Sequence, residues 1–132
     1  MTPFSIKIIT PEKTFFQGTT TQIIAKTTSG NVGILHGHVP YVANLVSSPF
    51  KIEIDGELKE AAISGGFLKV SSEDVIVVTN AIEWADEIDA DRAAAAQQAA
   101  EERLRTMRRD DVDYALAEAK LKRALIRQQV KG

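Results

Sequence analysis

The chain has 132 residues, 26% of them charged, and a formal net charge of -2, a size that fits one domain or one domain with an appendage. So balanced a charge gives no electrostatic argument for nucleic acid or an anionic membrane as partner, and the lack of cysteine excludes a disulfide framework and a thiolate metal site. No apolar run approaches the roughly 18 residues of a membrane-spanning helix, and residues 1–13 lack a basic start before an apolar core, so a soluble, intracellular protein without a signal peptide is expected.

The first part of the chain is patterned for strands. Phe4, Ile6 and Ile8 alternate with Ser5 and Lys7, a period of two that gives one buried and one wet face. Residues 20–26 and 42–46 are further candidates. Phe50, Ile52 and Ile54 alternate with Lys51 and Glu53, and Asp55-Gly56 then predicts a hairpin turn into residues 58–63. The Gly65-Gly66 pair marks a bulge or tight bend. Residues 67–70 and 75–79 flank the polar turn at residues 71–74. Short strands punctuated about every ten residues predict a small β-sandwich or barrel.

Within this part His36 and His38 form an H-x-H pair. On a strand both rings would share one side, the beginning of a zinc site. With no further histidine and no cysteine in the chain, turn or interface positions are the simpler reading. No G-x-S-x-G elbow or phosphate-binding P-loop occurs, so no catalytic residue and no metal site are assigned.

The pattern switches near residues 80–88. From there no proline occurs and no glycine before Gly132. Residues 88–107 are rich in alanine, glutamate, glutamine and arginine, which predicts a first helix capped by Asp86 or Asp89. Arg108-Arg109-Asp110-Asp111 breaks the apolar pattern and offers a new cap. Residues 112–130 predict a second helix, with Tyr114, Ala117, Leu121 and Leu125 in one apolar stripe and Val112, Ala115, Ala119 and Ile126 in the next. Two helices joined by a short connection predict an antiparallel hairpin. The stripe on the first helix is thin: Ile88, Ala96, Ala99, Ala100, Leu104 and Met107. Burying alanine in place of leucine forgoes roughly 1.5–3 kcal/mol per position, so the hairpin is expected to be marginal by itself.

Arginine is confined to this second part. All seven arginines lie at or beyond Arg92, whereas residues 1–91 carry lysine alone. Arginine suits carboxylate and phosphate, although it is also a good former of exposed helices. Asp89 and Arg92 share a face near the start of the first helix, and Arg123 and Arg127 share a face of the second. An antiparallel hairpin would bring them together as three guanidinium groups, a carboxylate and a helix N-terminus, a set that suits a polyphosphate. On spacing alone, an exposed Asp89–Arg92 ion pair beside unrelated arginines is the simpler reading.

Four ordered segments carry a family resemblance. GNVGILHGHVPYV resembles the GxLGILPGHxP segment of the epsilon subunit of the bacterial rotary ATP synthase, with His36 where proline is usual. AAISGGFLKV resembles that family's SGGF strand, IDADRA its I/L-D-x-x-R-A motif, and LKRALIR a segment supplying two more arginines. The resemblance covers the whole chain. It implies an α+β protein, with an antiparallel β-sandwich over residues 1–85 and a two-helix hairpin over residues 86–132. It implies a non-catalytic central-stalk subunit of a proton-translocating ATP synthase, peripheral at the cytoplasmic face of the bacterial cell membrane. The implied partners are the gamma subunit, the rotor c-ring and, with the helices extended, the alpha/beta catalytic hexamer; membrane contact would come only through the complex. No cofactor is required, but ATP is implied as a regulatory ligand of the folded hairpin, through Glu83, Ile88, Asp89, Arg92, Ala93, Arg123 and Arg127. Some ATP-binding relatives carry a further arginine where this chain has Gln97-Gln98-Ala99-Ala100, so a weaker site is expected. The alternative is a free-standing nucleotide-sensing adaptor module.

Overall fold

A computed structural model describes residues 2–132. Eight strands lead into two helices: β1 (Phe4–Ile9), β2 (Thr14–Thr20), β3 (Ile23–Thr27), β4 (Gly30–Ile34), β5 (Tyr41–Ile54), β6 (Glu57–Val70), β7 (Asp74–Val78), β8 (Ile82–Trp84), α1 (Ala90–Thr106) and α2 (Tyr114–Lys131). The hydrogen-bonded strand order is β2-β1-β7-β6-β5-β3-β4, with β8 on β6. Every pairing is antiparallel except β1 with β7, which is parallel. Only Thr21 and Gln22 join β2, at one end of this order, to β3 near the other. A connection that short forces the strands to fold back into two layers, a β-sandwich.

Glu53 holds that closure. Its Oε1 accepts from the Thr21 amide at 2.9 Å and the Thr21 hydroxyl at 2.8 Å, and its Oε2 accepts from the Gly56 amide at 2.6 Å. One carboxylate thus ties the β2–β3 connection to the β5–β6 turn. The turn is the expected two-residue hairpin: Asp55 and Gly56 have φ of 52° and 85°, the left-handed pair a type I′ turn requires.

The alternation at Phe4, Ile6 and Ile8 puts all three in the core, with Ile23, Phe50, Ile52, Leu68, Val75 and Val77. Four expected strands prove to be two. Residues 42–46 and 50–54 are one strand, β5, which runs straight through Ser47-Ser48-Pro49, where Ser48 is buried and its hydroxyl donates to the Val46 carbonyl at 2.8 Å. Residues 58–63 and 67–70 are likewise one strand, β6. Its first half pairs β8 and its second half pairs β7. The change of neighbour falls at Gly65 and Gly66, with φ of 98° and 119°; a Cβ on Gly66 would lie 2.0 Å from the Val78 carbonyl oxygen. The glycine pair is the tight bend its sequence predicts, and no side chain fits there. The candidate strand at residues 20–26 is split at Thr21-Gln22, because Thr20 closes β2 and Ile23 opens β3.

The histidines stand in the loop between β4 and β5 and not on a strand. His38 packs edge-on against Phe4, ring centroids 5.3 Å apart, and His36 is exposed. Among the described residues no group of three or more histidines and carboxylates is placed to hold a metal ion.

A single turn of 3-10 helix at Ala85–Glu87 leads to α1. Asp89 is the cap, its Oδ1 accepting the Arg92 amide at 3.0 Å; Asp86 lies in the preceding turn. The second cap differs from expectation. Asp113 occupies the cap position of α2 without a side-chain cap bond, while Asp111 Oδ1 accepts the Asp113 amide at 2.9 Å. The helices meet through Ala93 and Ala100 of α1 and Ala117 and Ala124 of α2, all buried. The Gln128 side-chain amide also donates to Gln97 Oε1, and Gln97 Nε2 donates to Glu101 Oε1 at 2.7 Å. The expected second stripe of α2 finds cover only at Ile126: Val112, Ala115 and Ala119 are exposed, and so are Leu125 of the first stripe and Ala99 of α1. Only the face toward α1 and the sandwich finds cover, and residues one step off it project into solvent. The hairpin rests on the sandwich through a separate small cluster of Ala62, Ile88 and Val130, flanked by Ala85 and Ile126.

Candidate functional site

The antiparallel hairpin lies across the sandwich so that a cleft of about 800 Å³ opens between them. Its sandwich wall comes from β6, β8 and the β1–β2 turn, including Ser64, Glu83 and Glu12. Its helical wall has an alanine floor, with Ala96, Ala99 and Ala100 from α1 and Ala117 and Ala124 from α2. Five cations border that floor: Arg92, Arg103, Lys120, Arg123 and Arg127. Two carboxylates oppose them, so the lining carries an excess of three positive charges.

The residues singled out from sequence fall into three groups. Glu83, Arg92, Arg123 and Arg127 line the cleft. Ile88 and Ala93 are buried beside it, Ile88 in the cluster that seats the hairpin and Ala93 in the helix interface. They shape the site by packing. Asp89 is exposed and outside the lining, its carboxylate committed to the helix cap. No Asp89–Arg92 ion pair forms in this state. The three-residue spacing is that of a cap to the amide three residues on.

Glu83 and Arg127 join the two parts of the chain. Arg127 Nε lies 2.7 Å from Glu83 Oε1, and Nη2 donates to Oε2 at 3.3 Å, a two-pronged pair between α2 and β8. Both side chains are partly exposed, so the pair positions the helix more than it stabilises the fold. An anion entering the cleft would meet Arg92, Arg103, Lys120 and Arg123 without ion-pair partners among the described residues.

Arg103 and Lys120 were not singled out from sequence, yet a signal existed. Arg103 follows Arg92 by eleven residues and Lys120 precedes Arg127 by seven, and both separations return to the same helical face. The stretch Gln97–Ala100 carries no cation, but Arg103, one turn beyond Ala99, supplies one to the same cleft.

A β-sandwich carrying a docked helical hairpin, with a cation-rich cleft between them, defines a two-part architecture in which both parts line one cleft. Residues 3–85 match the family model for the beta-sandwich domain of the ATP synthase delta/epsilon chain, and residues 86–132 match that family's long alpha-helix domain. The chain belongs to the ATP synthase delta/epsilon chain family, with epsilon chains as its relatives. It is 50% identical to the ATP synthase epsilon chain of Ruminococcus albus over 98% of this chain and 97% of the relative. It is 39% identical to that of Bacillus velezensis over 100% of this chain and 99% of the relative. A chain in the mitochondrial ATP synthase of Euglena gracilis has the same fold at a TM-score of 0.77 and 24% identity, covering 89% of this chain and 74% of that one. A chain in the central stalk and c-ring structure of the Tetrahymena thermophila enzyme gives 0.65 and 14%, covering 97% and 96%.

Proposed function

We propose that this chain is the non-catalytic epsilon subunit in the central stalk of a rotary, proton-translocating ATP synthase, peripheral at the cytoplasmic face of the bacterial cell membrane. Its sandwich contacts the gamma subunit and the rotor c-ring. Its helices, when they leave the sandwich and extend toward the alpha/beta hexamer, inhibit ATP hydrolysis. ATP bound in the cleft favours the docked hairpin. The observation that carries this reading is the cleft itself: its walls come from both parts of the chain, so it exists only while the hairpin is docked.

The energetics suit a switch. A ligand that binds the docked form alone stabilises it by about 2.7 kcal/mol at a hundredfold excess over Kd. The seat beneath the hairpin is an alanine, an isoleucine and a valine, so a bias of that size is decisive. Full reversal from about 1:99 to 99:1 needs about 5.5 kcal/mol and calls on the partner subunits as well.

Reconstitution with a chain ending at Asp86 tests the inhibitory role. The truncated subunit is expected to assemble and to leave ATP hydrolysis faster than the full chain does; equal hydrolysis overturns the role. Calorimetry of the isolated chain tests the ligand. ATP binding is expected, and Arg92→Ala with Arg123→Ala should abolish it; unchanged binding by that variant removes the cleft as the site.

A further inference from the structure

The cleft extends well beyond Arg92. Arg92 and Arg103 share one face of α1, and their separation of eleven residues sets their backbones roughly 16 Å apart at about 1.5 Å per residue. The antiparallel arrangement places Arg127 toward the Arg92 end, Arg123 between, and Lys120 toward the Arg103 end. Cations therefore run the whole length of the cleft, above a floor of methyl groups. Arg103 and Lys120 have no ion-pair partner among the described residues, and the two carboxylates of the lining stand on the opposite, sandwich wall. No aromatic side chain lines the cleft among the described residues, so nothing there stacks a base. A row of guanidinium and ammonium groups recognises evenly spaced negative charge.

We infer that the cleft takes a linear polyphosphate chain along its length, with Arg103 and Lys120 holding the end remote from Arg92, so that chains of more than three phosphates bind better than a triphosphate. Calorimetry of the full chain with inorganic tripolyphosphate, an inorganic chain of about eight phosphates, and ATP tests it, with affinities compared per triphosphate unit to remove the gain from multiple binding frames. The longer chain is expected to bind about tenfold more tightly than tripolyphosphate, the value of two added exposed cation–phosphate contacts. Arg103→Gln with Lys120→Gln should erase that preference. Lys26→Gln with Lys69→Gln, an equal loss of charge on the exposed sandwich surface, should keep it. Absence of a length preference, its survival in the Arg103/Lys120 variant, or its loss in the Lys26/Lys69 variant overturns the inference. The ATP arm separates it from the nucleotide reading. Long chains bound through Arg103 and Lys120 by a protein that ignores ATP would leave this inference standing and remove ATP as ligand. ATP bound at the Arg92 end with no length preference would do the reverse.

Discussion

The sandwich and the helical hairpin bury different kinds of side chain. The sandwich encloses Phe50, Ile6, Ile8, Ile23, Ile52 and Leu68 with almost no exposure, whereas the buried positions within α1 and α2 are four alanines and one valine, Val130, with Ile88 just ahead of α1. A buried Phe, Ile or Leu contributes about 1.5–3 kcal/mol of transfer free energy, and an alanine far less. The sandwich is thus a scaffold that persists, and the hairpin is an arm whose place depends on a few small contacts. The loosely held part also carries the arginines. Under the proposed function, an arm that changes its surroundings on docking is the economical place to put ligand contacts, since binding then selects a posture.

That contrast can be broken at its strongest point first. Phe50→Ala should cost about 3–5 kcal/mol by transfer and cavity terms, read as a lowered midpoint in denaturant for the whole chain. A loss no larger than that of a hairpin variant would remove the distinction. Val130→Ala should cost about 1–2 kcal/mol, and the cost should stay local. Amide exchange in α2 is expected to quicken about tenfold while β-sandwich amides keep their protection. Slowest-exchanging sandwich amides that quicken equally would make the two parts one cooperative unit.

The smallest effect concerns the closure of the sandwich. Hydrogen bonds from the Gly56 amide, then from the Thr21 hydroxyl and amide, hold the Glu53 carboxyl below its ordinary value of 4.5. A depressed folded-state value means that Glu53 stabilises the fold above its unfolded value and loses that contribution as pH falls through the depressed one. Stability followed from about pH 6 to about pH 2 should therefore fall less steeply in Glu53→Gln than in the parent. Parallel curves would show that the three hydrogen bonds do not favour the charged form.

Much of the sandwich was legible because strong local signals were enough. The Phe4, Ile6, Ile8 alternation and the Asp55-Gly56 turn state their structure in a few residues. β2 and β4 were missed because Gly18, Gly30 and Gly33 dilute the period-two pattern, and pairing partners far along the chain supply what local preference lacks. The helices were legible as helices, but their covered face was not. In alanine-rich segments every face looks tolerable, and the neighbouring sheet decides which is used. The same applies to the cleft. Arg92, Arg123 and Arg127 could be picked out by residue type and spacing. Asp89 was legible as a candidate cap of α1, whereas the roles of Arg103 and Lys120 as cleft cations required knowing which way each helix faces.

The long β5–β6 ribbon has one more consequence. Ala62, Ile63 and Ser64 border the cleft, and a few residues on, past Gly65 and Gly66, the same strand carries exposed Phe67, across from the exposed Val42 segment of β5. Displacement applied at one end of this continuous ribbon reaches the other through covalent backbone and a ladder that skips only the pair at the Gly65 bend, without crossing a loop. Whatever grips the oily tip of the sandwich is mechanically wired to the floor on which the arm comes to rest.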